Sequence, residues 1–574
     1  MPNNKRLVRL QVNPVLVGLF LLVSVFYFYS LCPDVYLIDS GELATVSYTL
    51  GVAHPTGYPL YTLLSYFFAR LPGEPIRNLN LLSALFSIAA SLVIFITARR
   101  ITNNQSISAL VAALFAFSPT IWRTSITNEV YPLTGLFAVL VLYLLYECKT
   151  DRVFYVIMYL LGLALTNHMI FFSFAIPVLF YLMITHRPGT KRTSIGILLL
   201  ALGLTLYFYI MMRTIGGAEI AWGNAHNLQR LFWHTTGKQY QVWMFSLPLD
   251  EVLKNLANGL HILARDFLYV FIIPSAIGFL ALYRKDKRKF WLMLAILVLN
   301  LLYAINYSIP DIEPYYIPSL VVLVATSAYG MHTLRRFLKP AIILCLILIV
   351  PFINYRACTL RNNTFGIDFG RAHAEQLPDS SLLITTQWDI YSPLMYLREV
   401  KGWRSDLILI DKELLRRTWY MKYLEREYPA LCANARTSIR SYLEELYKFE
   451  YGRPYIISVI QLRFIKMLES LVEAKIDKGV FLSAPWADRD LDQVKPDYRR
   501  LPFGLVSKVT QEKTLEPFDF SNFSLRKPSI INDRRIAYSL RIIRNELTAN
   551  LKYLIATGLV EEAQKVRQLT ASLQ

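Results

Sequence analysis

The sequence predicts a mostly α-helical protein: a transmembrane bundle of about eleven spans, followed by a soluble α/β domain that ends in helices. Three observations carry this reading. Of 574 residues, 54% belong to the hydrophobic set, and the mean hydropathy is +0.36. Only 18% are charged, against about 25% in a soluble globular chain. Long apolar runs fill the first 354 positions, whereas short strand and helix patterns follow them. The expected divisions are a transmembrane domain over 1–355, an extracytoplasmic α/β domain over 356–533 and a C-terminal helical segment over 534–574.

A crossing helix needs roughly 20 mostly apolar residues. Nine stretches qualify directly: 14–32, 79–98, 105–121, 129–147, 195–213, 264–283, 289–306, 315–333 and 338–354. The run over 153–185 is interrupted by Asn167 and His168. Lys149 and Arg152 precede it, and His186, Arg187, Lys191 and Arg192 follow it. Basic loops favour the cytoplasm, so a run that leaves and returns to one side is a hairpin with Asn167-His168 at its outer tip. That makes eleven crossings.

The net charge of +19, from 60 Lys and Arg against 41 Asp and Glu, would suggest a nucleic-acid partner in a soluble protein. Here the basic residues cluster between apolar segments: Lys5/Arg6/Arg9, Arg99/Arg100, Lys149/Arg152, Lys191/Arg192, the RKDKRK run at 284–289 and Arg335/Arg336/Lys339. All fall on one face, which places the N-terminus in the cytoplasm and leaves nucleic acid without a role. An odd number of crossings puts the C-terminal domain outside it. In a prokaryote the bilayer would be the plasma membrane. The first helix lacks a small-residue cleavage site and reads as a retained anchor. Cys32, Cys148, Cys345, Cys358 and Cys432 have neither metal-ligand spacing nor a disulfide pattern.

On the outer face, the loop over 33–78 contains Asp34, Asp39, Glu42, His54 and Arg77, with an amphipathic stretch from Tyr58 to Leu71 that is too short to cross and should lie in the interface. The loop over 214–263 carries WGNAHNLQRLFWHTTGKQY, and shorter outer turns carry Asn128-Glu129 and Asp311-Ile312-Glu313-Pro314-Tyr315-Tyr316. In the tail, LLITT (382–386) and DLILI (406–410), each followed by an amphipathic stretch, predict a βαβ unit with a parallel sheet. YIISV (455–459) and VFLS (480–483) are further expected strands, and the chain is helical from about 534.

The segment IDSGELATVSYTLGVAHPTGYPLY, residues 38–61, concentrates the chemistry. Asp39 and Glu42 are three apart, a spacing that shares one face of a helical turn. Ionisable groups held at a bilayer are functional candidates. The prolines and glycine of His54-Pro55-Thr56-Gly57-Tyr58-Pro59 fix a turn that aims His54 back at the same surface. An ordinary solvated loop is the competing reading.

DSGE, GVAHPTGYPL, NLLSALF, TNEVY, LTNH, the WHTTGKQY segment and the DIEPYYIPS segment, in this order across 14–425, resemble the DUF2723 family of the glycosyltransferase C superfamily, which includes protein O-mannosyltransferases. The resemblance implies a fold of that superfamily and an enzyme that takes a mannose-like sugar from a polyprenyl-phosphate donor. The acceptor would be a hydroxyl of a protein, with a glycan as the alternative, and the mechanism would be inverting. The sugar already carries a good leaving group, so what remains is to deprotonate the acceptor, a task for a carboxylate. Asp39 matches the family's base, with Glu42 orienting the acceptor or sharing the role. Arg77, His54 and Lys238 are candidates for the donor phosphate.

Tyr58, Glu129, His168, Asp311 and Glu313 are substrate-binding candidates, although helix capping and inter-helix hydrogen bonds compete for the last four and for Asn167. Tyr315, Tyr316 and Trp233 read as an aromatic belt before they read as sugar-stacking groups. No metal ligand set is expected, and no cofactor beyond the lipid-linked sugar, which is a substrate. A flippase for lipid-linked sugars and an assembly scaffold are the alternatives. The first fits less well because charges avoid span centres and no internal repeat is visible. The tail, lying beyond the bilayer, is expected to meet the acceptor and not the donor.

Overall fold

The computed structural model describes residues 13–483, 488–523, 525, 526, 528 and 533–573; the basic cluster Lys5/Arg6/Arg9 lies outside them. The first helix, α1 (Pro14–Ser30), starts where the Asn13 side chain accepts the Val15 N–H at 3.0 Å. Two short helices, α2 (Ser40–Thr49) and α3 (Pro59–Ala69), precede the 28-residue α4 (Pro75–Thr102). α3 falls within the amphipathic stretch expected from the sequence: Tyr61 and Ser65 face inward while Leu64 and Phe67 are exposed.

The apolar run at 105–121 forms α5 (Gln105–Ala116) and α6 (Pro119–Ser125), bent by 65°. Pro119, at the start of α6, supplies no N–H to continue the α5 ladder. Then come α7 (Tyr131–Glu147), α8 (Asp151–Leu165) and α9 (Phe172–His186). The break between α8 and α9 falls at the predicted tip, where Asn167 Nδ2 donates to Val130 O at 3.0 Å and to Thr134 Oγ1 at 2.8 Å. α10 (Thr190–Leu204) and α11 (Phe208–Ile215) form one 26-residue apolar helix through a short 3₁₀ turn.

Past α12 (Leu228–Thr235) the sequence reading needs correction. Residues 249–266 form an 18-residue amphipathic helix, α13 (Leu249–Asp266), and not loop; the next apolar helix, α14 (Ile272–Lys285), begins eight residues later than the expected 264. α13 leaves no apolar run in the sequence because its charged face dilutes its hydropathy, while Leu249, Leu253 and Leu260 stay exposed. α15 (Lys287–Ile305), α16 (Ile317–Thr333) and α17 (Pro340–Cys358) complete the bundle. α16 is central and almost wholly buried. It crosses α14 so closely that a Cβ on Gly278 would lie 1.8 Å from Thr326 O, the small-residue contact that joins helices in lipid.

Among the described residues, five helices are long and apolar enough to cross a membrane, and six if the bent α5–α6 pair is one crossing. Length and composition thus support about half of the eleven expected crossings. The others, α1, α7, α8, α14 and α16, have 14 to 17 residues.

The tail begins with α18 (Phe365–Ala372), followed by β1 (Leu382–Thr385), α19 (Trp388–Glu399) and β2 (Ile408–Asp411). Helices α20 (Thr418–Glu427), α21 (Pro429–Asn434), α22 (Arg436–Glu450) and α23 (Ile457–Glu473) lead to β3 (Val480–Ser483). β4 (Arg499–Phe503) and β5 (Val506–Thr510) add an antiparallel hairpin. The sheet order is β2-β1-β3-β5-β4, with β1 parallel to both β2 and β3. Every residue of the three parallel strands is buried, as expected for strands covered on both faces.

The strand expected at 455–459 is instead the start of α23. Its β-branched residues open a 3.6-residue repeat that buries Phe464, Met467, Leu468 and Leu471. α24 (Arg534–Ala556) and α25 (Val560–Ser572) form the expected helical end.

Candidate active site

Asp39 sits at the N-terminus of α2, and the tail docks directly onto that turn. The Ile38 N–H donates to Asp389 Oδ1 at 2.7 Å, and the Glu42 N–H donates to Ser392 Oγ at 2.9 Å. Gly41 makes the approach possible, since a Cβ there would lie 2.3 Å from Ser392 O. Trp388, the first residue of α19, donates its indole N–H to Asp39 Oδ1 at 2.8 Å. The tail therefore forms one wall of the acidic loop.

Glu42 is fully buried and is not among the residues that line the cavity beside Asp39. Its carboxylate accepts from the His54 backbone N–H at 2.8 Å and the His54 Nδ1–H at 2.5 Å. His54 Nε2 lies 2.8 Å from the Tyr58 hydroxyl and 3.7 Å from Asp39 Oδ2. Burial alone would lower the imidazole pKa, but the Glu42 and Asp39 carboxylates outweigh it and hold the ring up at about 9. His54 is therefore a cation at neutral pH. Burial pushes the Asp39 carboxyl upward, opposed by the His54 charge. Asp39, Glu42 and His54 each bring a donor atom within 4.8 Å of the others. The fold thus creates a ligand-like spacing that the sequence lacks, but the Glu42–His54 bond already occupies two of those atoms.

Asp39 keeps about 26% of its side chain exposed, and that exposure opens on a cavity of about 400 Å³. His54, Tyr58, His168 and Asp311 line the same cavity. Tyr58 stacks on His168 with ring centroids 5.5 Å apart, and Tyr315 meets the same imidazole edge-on at 5.4 Å. His168 also caps a turn through Nδ1, which accepts the Ile170 N–H at 3.1 Å. Tyr315 belongs to this wall and Tyr316 is buried against α13, so neither is an aromatic-belt residue.

Arg535, at the start of α24, bridges Asp311 at 3.0 Å and Asp389 at 3.2 Å. Burial raises both acids, and the guanidinium opposes it. Glu129 and Glu313 line a neighbouring cavity of about 280 Å³ that shares Asp311 and Arg535, and Glu313 is paired there with Arg265 at 3.0 Å. Lys238 lies outside the Asp39 cavity; its Nζ donates to Glu450 O at 3.0 Å and sits over the Trp233 ring. Arg77 is exposed and lines none of these cavities. Trp388, Asp389, Arg417 and Arg535 were not anticipated, because nothing in the local sequence ties them to a loop some 350 to 500 residues earlier.

A family model for the N-terminal domain of the protein O-mannosyl-transferase TMEM260 matches residues 39–192. The mouse protein O-mannosyl-transferase TMEM260 is 27% identical over 435 residues, covering 68% of this chain and 62% of its own length. The chain is similar to protein O-mannosyl-transferases. The counterpart from Dictyostelium discoideum is 23% identical over 575 residues, covering 88% of this chain and 67% of its own. The chain thus spans about three fifths of the mouse protein. Crystal structures of ArnT from Cupriavidus metallidurans overlie 70% of the chain in the apo state and 71% when bound to undecaprenyl phosphate, covering 90% and 92% of ArnT. Identities are 13% and 12%, with TM-scores of 0.48 and 0.49.

Proposed function

We propose that this protein is a membrane glycosyltransferase. It transfers a mannose-like sugar from a polyprenyl phosphate to a hydroxyl, that of a protein Ser or Thr, on the extracytoplasmic face. The observation that carries the reading is Asp39, a carboxylate held by an indole N–H and a charged imidazole while one edge faces a cavity of about 400 Å³. The likeness to O-mannosyl-transferases supports the sugar and acceptor classes.

In this mechanism the acceptor hydroxyl gives its proton to Asp39 as its oxygen attacks the anomeric carbon. The bond from that carbon to the phosphate oxygen breaks, and polyprenyl phosphate departs with the electron pair. A single displacement inverts the anomeric centre. Burial favours proton uptake by Asp39, which strengthens it as a base. Glu42 acts through His54 as a positioning residue, and the aromatic wall of Tyr58, Tyr131 and Tyr315 suits the face of a sugar.

The test is transfer of labelled mannose from polyprenyl-phosphate mannose to Ser/Thr peptides by purified protein. Asp39→Asn should lower turnover by about 10²–10⁴, the range for loss of a general base, while donor binding persists. Unchanged turnover in Asp39→Asn would refute the assignment.

A further inference from the structure

The tail reaches the membrane domain at a second place. Arg230 of α12 pairs with Glu450 of α22 at 3.2 Å, Lys238 Nζ donates to Glu450 O at 3.0 Å, and the Trp233 and Tyr451 rings meet at 5.1 Å. The turn from α22 to α23 is therefore fixed beside the segment that joins α12 to α13. Both carry large apolar side chains that the fold leaves uncovered: Val242, Trp243 and Phe245 on the segment, and Phe449, Tyr455, Ile456 and Ile457 on the turn and its flanks. Val242 and Phe449 line one cleft, and the Phe449 ring meets Tyr455 edge-on at 5.1 Å, so the two groups form one strip. Ile456 and Ile457 are 62% and 74% exposed. Contiguous apolar surface of this kind marks a contact with something other than water.

Where the strip lies relative to the bilayer follows from α15. That helix is long and apolar enough to cross and starts within the basic run 284–289, so its last residues reach the opposite surface. There the Phe245 N–H donates to Asn306 O at 3.1 Å, and Met244 pairs with Tyr307 in an isolated β-bridge. Leu302, one turn earlier, accepts from Asn306 Nδ2 at 2.8 Å through its carbonyl and leaves its side chain exposed. The strip thus begins where the lipid-facing surface of α15 ends. Trp243 and Tyr455 have the polar edges suited to headgroup level. Arg453, exposed beside them, can hold its charge among phosphates while its stem stays against apolar surface. This continuity with a crossing helix, together with the aromatic and basic rim, fits lipid better than a protein partner.

We propose that the turn between α22 and α23 dips into the leaflet at the C-terminal end of α15, with Ile456 and Ile457 among the upper acyl chains and residues 242–245 as the bridge to the bundle. The tail is then held twice, by its contacts around Asp39 and by lipid, and it cannot tilt away without drawing both isoleucines into water. Its opposite edge stands clear: Lys478 precedes β3, whereas Thr386 and Asp411, at the other end of the parallel strands, line the Asp39 cavity. The proposal needs α15 to cross the bilayer and does not depend on the glycosyltransferase reading.

The experiment is spin-label EPR on the purified full chain in phosphatidylcholine nanodiscs, one copy per disc. The background is Cys345→Ser, because Cys345 is exposed and the other four cysteines are buried. Labels on Ile457→Cys, Leu302→Cys and Lys478→Cys are compared for collision with oxygen, which concentrates in lipid, and with a neutral nickel chelate, which stays in water. Oxygen should dominate at 457 as at 302, and the chelate at 478. Adding Ile456→Asp, at an exposed position where folding is not at stake, should raise chelate collision at 457.

Chelate access at 457 equal to that at 478 would overturn the proposal and leave the strip to a second copy or another protein, neither of which the disc contains. An aqueous signal at 302 would overturn it as well, by removing the bilayer from the end of α15. No shift in the Ile456→Asp chain would overturn the anchoring role given to the isoleucines.

Discussion

Glu42→Gln isolates the electrostatics of the site. Glu42 is fully buried and holds both the backbone and the ring of His54. Glutamine keeps its size and can still accept from the backbone N–H, but removes the charge. In the wild type the carboxylates hold His54 at about 9 against an ordinary 6.5. At about 1.4 kcal/mol per pH unit, that is roughly 3.5 kcal/mol of preference for the protonated ring. Losing Glu42, the largest of the forces raising the pKa, should bring His54 well below its wild-type value.

The sign follows from linkage. A group whose folded pKa is raised lends stability that is complete below the unfolded value, here about 6.5, and lost as pH climbs through about 9. The wild type should therefore show a falling melting temperature between pH 6.5 and 9 that Glu42→Gln flattens. Histidine NMR in detergent should show one imidazole near 9 in the wild type and none in the variant. A His54 that still titrates near 9 in Glu42→Gln would refute the reasoning.

Three further outcomes are expected. Arg535→Gln should destabilise the protein by roughly 2–4 kcal/mol, toward the low end for breaking a buried pair because Asp311 keeps 24% of its side chain exposed; since the stranded acids are easier to bury protonated, the deficit should shrink as pH falls, and denaturant unfolding at two pH values checks both. Gly278→Ala should cost about 1–3 kcal/mol through overpacking, as its Cβ would overlap Thr326 O, read by thermal melting in detergent. Cysteines introduced at Lys287 and Arg371, both exposed, should react with an impermeant reagent from opposite sides of the membrane, and labelling from one side would break the expected topology.

The sequence by itself determined the helical membrane bundle, the βαβ start of the tail and the clustering of ionisable residues in one loop. Each is written in residues close along the chain: apolar runs, a two-residue or 3.6-residue repeat, and Asp39, Glu42 and His54 within sixteen positions of one another. It misread α13 and the start of α23 because an amphipathic helix has no net hydropathy, and because β-branched residues suit a strand until distant packing chooses the period. Only the tertiary structure decided which acid faces the cavity, since burial of Glu42 and exposure of Asp39 depend on α19 closing over α2. Only it brought Trp388, Arg417 and Arg535 to the Asp39 loop and its cavity. Coulomb and hydrogen-bond energies act over a few ångströms in space, and separation along the chain of several hundred residues leaves no local pattern from which such contacts could be read.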